Sequence, residues 1–146
     1  MGFYIKLTVV IYLNNLPLTC SRKGITMSNS LAVIEPSTFY EKVNQQHTFV
    51  LNIVATWCSD CTKQQENINS LVNILGLPVL QLTAQHEKGI FIDQQYQDLI
   101  DELGGHGYPR TILVAAGKVL STDNVEVIEE QDLINLANKF NILLSA

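Results

Sequence analysis

The chain has 146 residues, enough for one domain with a sizeable core, and a formal net charge of −5 at pH 7. All fourteen acids follow Leu31, where only six of the nine bases lie, and no basic stripe with interleaved aromatic residues is present. This balance excludes a typical nucleic-acid-binding surface, and no apolar segment is long enough for a membrane-spanning helix. Three cysteines are too few for a disulfide-stapled secreted scaffold.

Residues 1–30 differ in character from the rest of the chain. Residues 3–13 are apolar around Lys6, and Cys20 follows a few residues later. The segment has three interpretations: a weak secretory signal or lipid anchor, an upstream extension ahead of a start at Met27, or an added helix or strand. We expect a leader or extension over residues 1–30 and a domain over residues 31–146. A cytoplasmic location is favoured; a periplasmic or membrane-anchored one follows if residues 1–26 act as a signal.

From Leu31 onward, strands and helices are predicted to alternate. Strands are predicted at residues 31–34, 48–55, 79–83, 110–115 and 118–122, and residues 84–93 have no clear period. Helices are predicted from Pro36 to about Gln46, from the Cys58/Cys61 pair to about Leu75, around Tyr96–Leu103, and near the C-terminus with Leu133, Leu136, Ala137 and Phe140 facing inward. The order βαβαβαββα predicts an α/β fold with a mixed central sheet and helices on both faces.

The acidic run before the last helix has a simple interpretation. Glu126, Glu129, Glu130 and Asp132 are predicted to form a solvated helix start, since carboxylates are favourable near a helix N-terminus.

The most informative motif is Trp57-Cys58-Ser59-Asp60-Cys61, where a buried strand is followed by a helix. Two thiols three positions apart can close a small disulfide, and the helix N-terminus favours a thiolate on the first of them. A zinc site would need a further cysteine pair or paired histidines. The only other cysteine is Cys20, and His47, His86 and His106 have no ligand spacing. The motif therefore indicates dithiol redox chemistry, with unreactive buried thiols and a metal site as the alternatives.

Two motifs resemble the thioredoxin family. Trp57-Cys58-x-x-Cys61 after a central strand is similar to its active site, and Gly107-Tyr108-Pro109-Arg110 is similar to its cis-proline loop. The resemblance runs from Leu31 to the C-terminus and implies a three-layer thioredoxin-like fold. It also implies a cis peptide bond before Pro109, with Tyr108 and Pro109 facing the substrate.

The resemblance further implies the roles of the two thiols. Cys58 is expected to be the attacking, more exposed thiol, and Cys61 the resolving thiol. Trp57 is expected to flank them, with core packing as its alternative. His106 is expected to be an ordinary loop histidine.

Two departures from the family's pattern bear on activity. Ser59-Asp60 stands where thioredoxins commonly have Gly-Pro. A carboxylate beside the thiols disfavours the thiolate, although Ser59 could partly offset this by donating a hydrogen bond, so we expect a more reducing couple. Asn52 stands where the family has a buried Asp, and the family's companion Lys falls at Gln81. Without that carboxylate, we expect slower proton removal from Cys61 unless Asp60 or water substitutes.

These observations predict a thiol–disulfide oxidoreductase that reduces protein disulfides through Cys58 and Cys61. Its expected partners are disulfide-containing proteins and a reducing protein such as a reductase, with no bound cofactor. Two alternatives remain open: a non-catalytic interaction module with the same fold, and an exported disulfide oxidant or isomerase. The latter would need an acidic Cys58, which Asp60 disfavours.

Overall fold

The computed structural model describes residues 31–146, so the interpretations of residues 1–30, including Cys20, lie outside the described residues. The described part contains six strands and four helices. The strands are β1 (Ala32–Val33), β2 (Phe49–Ala55), β3 (Val79–Glu87), β4 (Ile90–Phe91), β5 (Arg110–Ala115) and β6 (Lys118–Val125); the helices are α1 (Pro36–Asn44), α2 (Ser59–Leu75), α3 (Gln94–Glu102) and α4 (Glu130–Ser145).

All six strands join in one mixed sheet in the order β1-β3-β2-β5-β6, with β4 paired to the end of β3. β2 lies parallel to β3 and antiparallel to β5, and β6 is antiparallel to β5. The end of β2, the start of β5 and the end of β6 therefore lie at the same edge of the sheet, where the end of β3 also lies. Residues that follow or precede these strand ends are brought together at that edge.

The sheet separates two hydrophobic clusters, because successive side chains of a strand point to opposite faces. One face packs against α1 and α3 through residues that include Phe39, Leu51, Ile53, Leu99 and Ile100. The other packs against α2 and α4 through Val50, Ile68, Leu71, Leu113, Leu133 and Phe140. The four residues expected to face inward from the last helix are all buried. The predicted mixed sheet with helices on both faces is confirmed.

The largest difference from the predicted order lies in residues 84–93. β3 continues to Glu87 and turns back at Lys88 and Gly89 into β4, so the order is βαβαββαββα. Gly89 has φ +85, a conformation that glycine adopts without strain. The second half of β3 is polar at Gln85, His86 and Glu87, so a prediction based on apolar residues does not detect this part of the strand.

Glu126 is a second correction. Helix α4 begins at Glu130 with Glu129 as its N-cap, and Glu130 and Asp132 occupy its first turn as expected. Glu126 instead follows β6 directly, with φ +60, outside the helix.

Candidate functional site

The two thiols lie where β2 passes into α2. Cys58 is the N-cap of α2, and its sulfur accepts a hydrogen bond from the Cys61 backbone N–H at 3.2 Å. The free N–H groups at a helix start carry a partial positive charge, which favours negative charge on the N-cap sulfur. This arrangement suits a nucleophilic thiolate at Cys58.

Both thiols are largely covered. Cys58 is 8% exposed and Cys61 is 5% exposed, so the expected difference in exposure is small. Burial raises the pKa of the Cys61 thiol well above its ordinary value, and its hydrogen bond with Cys58 raises it further. The backbone at Ala55 acts in the opposite direction, and the charges of Cys58 and Asp60 add smaller increases to this pKa. Cys61 is therefore held as a neutral thiol near pH 7.

The loop before β5 closes one side of the site. The Tyr108–Pro109 peptide bond is cis. The Cys58 thiol lies 3.8 Å from the Tyr108 carbonyl oxygen, toward which it donates. The Tyr108 ring meets those of Trp57 and His106 edge to face, with centroids 6.0 and 5.8 Å apart. These contacts bring the two sequence motifs together around Cys58.

Arg110 holds this loop in place. Its guanidinium is buried and donates to the carbonyl oxygens of Thr122 at 2.7 Å, His106 at 2.8 Å and Gly104 at 3.3 Å. Three backbone carbonyls from the loop and from β6 are thus tied to one side chain. Sequence reasoning placed Arg110 at the start of a strand without assigning it a function.

The β3–β4 hairpin is bound to the residues just before Cys58. Gln85 is buried, and its Oε1 accepts from the Trp57 indole N–H at 3.1 Å and from the Gly89 backbone N–H at 2.9 Å. Thr56 Oγ1 donates to the His86 carbonyl oxygen at 3.0 Å. The Trp57 side chain is therefore held in a defined orientation beside the thiols, and it also packs against the hydrophobic core.

Asn52 lies in a buried cluster of neutral side chains. It is fully buried, donates from Nδ2 to Gln64 Oε1 at 2.8 Å and accepts from Thr111 Oγ1 at 3.1 Å. Gln64 in turn donates to the Val127 carbonyl oxygen at 2.9 Å. Gln81 is directly paired with Asn52 in the sheet register, at the position assigned to it from the sequence. The amide cluster of Asn52, Gln64 and Thr111 contains no ionisable group.

An open hollow of about 440 Å³ adjoins the thiols. We call it the thiol hollow; it is lined by Trp57, Cys58, Ser59, Asp60, Lys88, His106, Gly107, Tyr108 and Glu126. Ser59 and Asp60 are exposed beside Cys58, so Asp60 acts through solvent. His106 also lines the hollow and lies in the loop, as expected.

Lys88, Gln85 and Glu126 are the site residues that sequence reasoning missed. Lys88 and Gln85 lie in the segment without a clear period, and Glu126 was assigned to a helix start. A non-glycine residue just past a strand gives no sequence signal of its left-handed backbone.

No group of three or more His, Cys, Asp or Glu side chains in residues 31–146 is arranged to hold a metal ion.

Comparison with known proteins identifies the fold. No protein-family model matches the chain, and no characterised protein matches it by sequence. Solved structures do match. Thioredoxin f2 of Chlamydomonas reinhardtii aligns at 16% identity and TM-score 0.59, covering 76% of this chain and 96% of that one. Mitochondrial thioredoxin 3 of Saccharomyces cerevisiae, in its oxidized form, aligns at 16% identity and TM-score 0.59, covering 77% of this chain and 99% of that one.

Thioredoxin of Trypanosoma brucei brucei is also similar, at 12% identity and TM-score 0.60, covering 81% of this chain and 94% of that one. Identities this low establish shared architecture rather than shared activity. Together with the paired cysteines at the start of α2, they confirm the resemblance: the chain has the thioredoxin-like fold, with Cys58 and Cys61 in a CxxC arrangement.

Proposed function

We propose that the protein is a thiol–disulfide oxidoreductase that reduces protein disulfides. The observation that carries this proposal is the position of Cys58: its sulfur caps α2 beside an open hollow and faces the Tyr108 carbonyl oxygen. A helix N-cap favours the thiolate, which is the species that attacks disulfides.

The reaction proceeds in two exchanges. The Cys58 thiolate attacks one sulfur of a substrate disulfide, forms a mixed disulfide and releases the other sulfur as a thiolate, which takes a proton from water. Cys61 then loses its proton and attacks the Cys58 sulfur, releasing the second substrate thiol. The substrate gains two electrons and two protons, and the protein is left with a Cys58–Cys61 disulfide. A dithiol protein or reductase returns the two electrons.

Tyr108 and Pro109 are the proposed substrate-binding residues. Pro109 has no N–H, and the Tyr108 carbonyl oxygen faces the attacking sulfur. An extended substrate segment that pairs with this backbone would bring its disulfide next to Cys58, as in strand addition.

A reducing protein partner is part of the proposal. One similar structure, at 17% identity and TM-score 0.59, is thioredoxin f2 in complex with ferredoxin:thioredoxin reductase. That likeness supports a reductase as the electron source here, and a cytoplasmic reducing role fits the same proposal. No helix within residues 31–146 is long and apolar enough to cross a membrane.

The reduction potential of the Cys58/Cys61 pair tests the proposal first. Equilibration with glutathione, followed by alkylation and mass measurement, should give a value well below the glutathione poise; about 30 mV corresponds to a tenfold change in the equilibrium constant. Cys61→Ser should accumulate a mixed disulfide with a peptide substrate, and Cys58→Ser should form none.

Two outcomes would replace the proposal. A potential well above the glutathione poise would indicate an oxidant or isomerase. A Cys58 that fails to react with a disulfide at neutral pH would favour an interaction module in which the dithiol has no catalytic use.

A further inference from the structure

Two opposite charges lie on the thiol hollow, each fixed by contacts that the cysteine motif does not require. Lys88 and Glu126 both line the hollow, and the only ion pair within 4.0 Å among residues 31–146 joins Lys63 to Glu129. The ammonium of Lys88 and the carboxylate of Glu126 are thus unpaired within the described part of the chain. Unpaired charges beside a binding site attract groups of opposite charge on the molecule that binds there and repel groups of like charge.

The β3–β4 hairpin fixes Lys88. Gln85 binds both the hairpin turn at Gly89 and the indole of Trp57, so the turn is tied to the residue next to Cys58. The Lys88 ammonium lies 5.3 Å from the centre of the Trp57 ring, within the range of a cation–π interaction. Lys88 therefore has a defined position beside the hollow even though its side chain is exposed.

Glu126 is fixed at the end of β6 by its backbone. Its N–H donates to the Pro109 carbonyl oxygen at 2.8 Å, and its φ is +60. Residues other than glycine adopt this left-handed conformation only at a cost in steric strain. Just before it, Val125 packs so closely on Gly107 that a Cβ at Gly107 would lie 2.8 Å from Val125 Cγ1. A charged side chain is thus held in an unfavourable conformation next to the cis-proline loop.

The sheet order places these charges on opposite sides of the thiols. Lys88 follows β3, Cys58 follows β2, Pro109 precedes β5 and Glu126 follows β6, and these strands are adjacent in that order. Neighbouring strands lie about 4.8 Å apart, so three spacings separate the two charges by roughly 14 Å. An extended chain rises about 3.3 Å per residue and covers that distance in about four residues.

We propose that Lys88 and Glu126 select disulfide substrates by the charges flanking the attacked cysteine. The favoured segment carries an acidic residue that contacts Lys88 and a basic residue that contacts Glu126, with the cysteine between them. Asp60 lines the same hollow and adds to the attraction for the basic flank. This inference rests on the proposed reductase function and names the substrate class.

Four synthetic peptides test the selection. Each holds one cysteine as a mixed disulfide with a chromophoric aromatic thiol, and the residues two positions before and after the cysteine are acid–base, base–acid, acid–acid or base–base. The probe measured is release of that thiol by the reduced protein at low salt. One opposite-charge peptide should react roughly three- to tenfold faster than its inverse and than the same-charge peptides, with the difference shrinking in 0.5 M NaCl.

The double variant Lys88→Glu/Glu126→Lys should transfer the preference to the inverse peptide. The matched control is Lys118→Glu/Glu41→Lys, which makes the same charge changes at exposed residues that do not line the thiol hollow. The control should keep the original preference.

A third variant, Glu126→Gly, removes the charge together with the left-handed strain. It should lose discrimination at the basic flank without a loss of stability.

The outcomes separate this inference from the reductase proposal. Release from all four peptides at equal rates overturns the charge selection and leaves the reductase function standing. A preference that the double variant keeps also overturns it. Failure to react with any of the peptides contradicts the reductase function itself.

Discussion

The site has two electrostatic regions that differ in burial and in charge. The buried amide cluster of Asn52, Gln64 and Thr111 is neutral, and each of its members is bonded to another. The rim charges, Asp60, Lys88 and Glu126, are exposed and line the thiol hollow. A buried charge needs a partner, whereas an exposed one is solvated and screened. The carboxylates of the site therefore lie where solvent stabilises them, and the amide cluster offers Cys61 no carboxylate as a proton acceptor.

Asn52→Asp introduces a carboxyl group into the neutral amide cluster, and we expect it to have the largest effect on stability of the variants considered. Asp at this position keeps an acceptor for Thr111 but loses the donor to Gln64 Oε1, unless it remains protonated. Leaving a buried charge without a cation should cost about 2–4 kcal/mol of unfolding free energy at pH 8. Burial would raise the pKa of this carboxyl in the folded state, so stability falls as pH rises above the unfolded value of about 4. Urea unfolding at pH 5 and pH 8 measures the difference.

Asn124→Asp is the matched control for that variant. Asn124 is also buried and donates to the Thr111 carbonyl oxygen at 2.8 Å, but Lys139 Nζ lies 3.0 Å from its Oδ1. An adjacent ammonium stabilises the new carboxylate, so the loss at pH 8 should be smaller than for Asn52→Asp. Equal losses of stability in both variants would contradict the account of the amide cluster.

We also expect Asn52→Asp to speed turnover at neutral pH, because an ionised carboxylate could accept the Cys61 proton.

The wild-type protein's pH dependence follows from Cys61. Burial is the largest cause of its raised pKa, and we expect that burial to remain when Cys58 is held in a mixed disulfide. The thiolate of Cys61 resolves that disulfide, so the rate of resolution should rise about tenfold per pH unit between pH 6 and 9, as the thiolate fraction does below the pKa.

A single-turnover experiment isolates this step. The protein is first loaded as a Cys58 mixed disulfide with a small thiol at pH 4, then moved to the test pH while thiol release is followed. Cys61→Ser is the control and should release nothing. A rate that reaches its plateau near pH 7 would show that a group in the folded protein removes the Cys61 proton.

The parts of the site that are contiguous in sequence could be predicted from it. Cys58, Cys61 and the helix that follows them share one strand-to-helix boundary, and the Gly107-Tyr108-Pro109 run carries its own signal. The order of the other elements apart from β4 follows from apolar periodicity and from Pro36 and Gly76 at helix ends. In each case a few neighbouring residues determine the local structure.

The parts that depend on contacts distant in sequence could not be predicted. Gln85 bridges Trp57 and Gly89, and Arg110 gathers carbonyl oxygens from two segments; neither role follows from local pattern. Glu126 has a left-handed backbone conformation in which its N–H donates to the carbonyl oxygen of Pro109, a residue 17 positions earlier. Sheet register, rather than residue preference, decides such positions.

Asp60→Asn sharpens the contrast between the rim charges and the buried cluster, with the smallest expected effect. A thiolate exists only in the reduced protein, and a nearby carboxylate destabilises it, so Asp60 makes the pair more reducing. Removing its charge should raise the reduction potential by roughly 10–30 mV at pH 8.5. Because Asp60 is exposed, this difference should shrink between 0.05 and 0.5 M NaCl, where the screening length falls from about 14 Å to about 4 Å. The exposed Asp98→Asn, which changes a carboxylate on α3, is the matched control and should leave the potential unchanged. A shift in the Asp60 variant that is independent of salt would mean that Asp60 acts through a buried contact, and the division between the neutral amide cluster and the screened rim charges would then not hold.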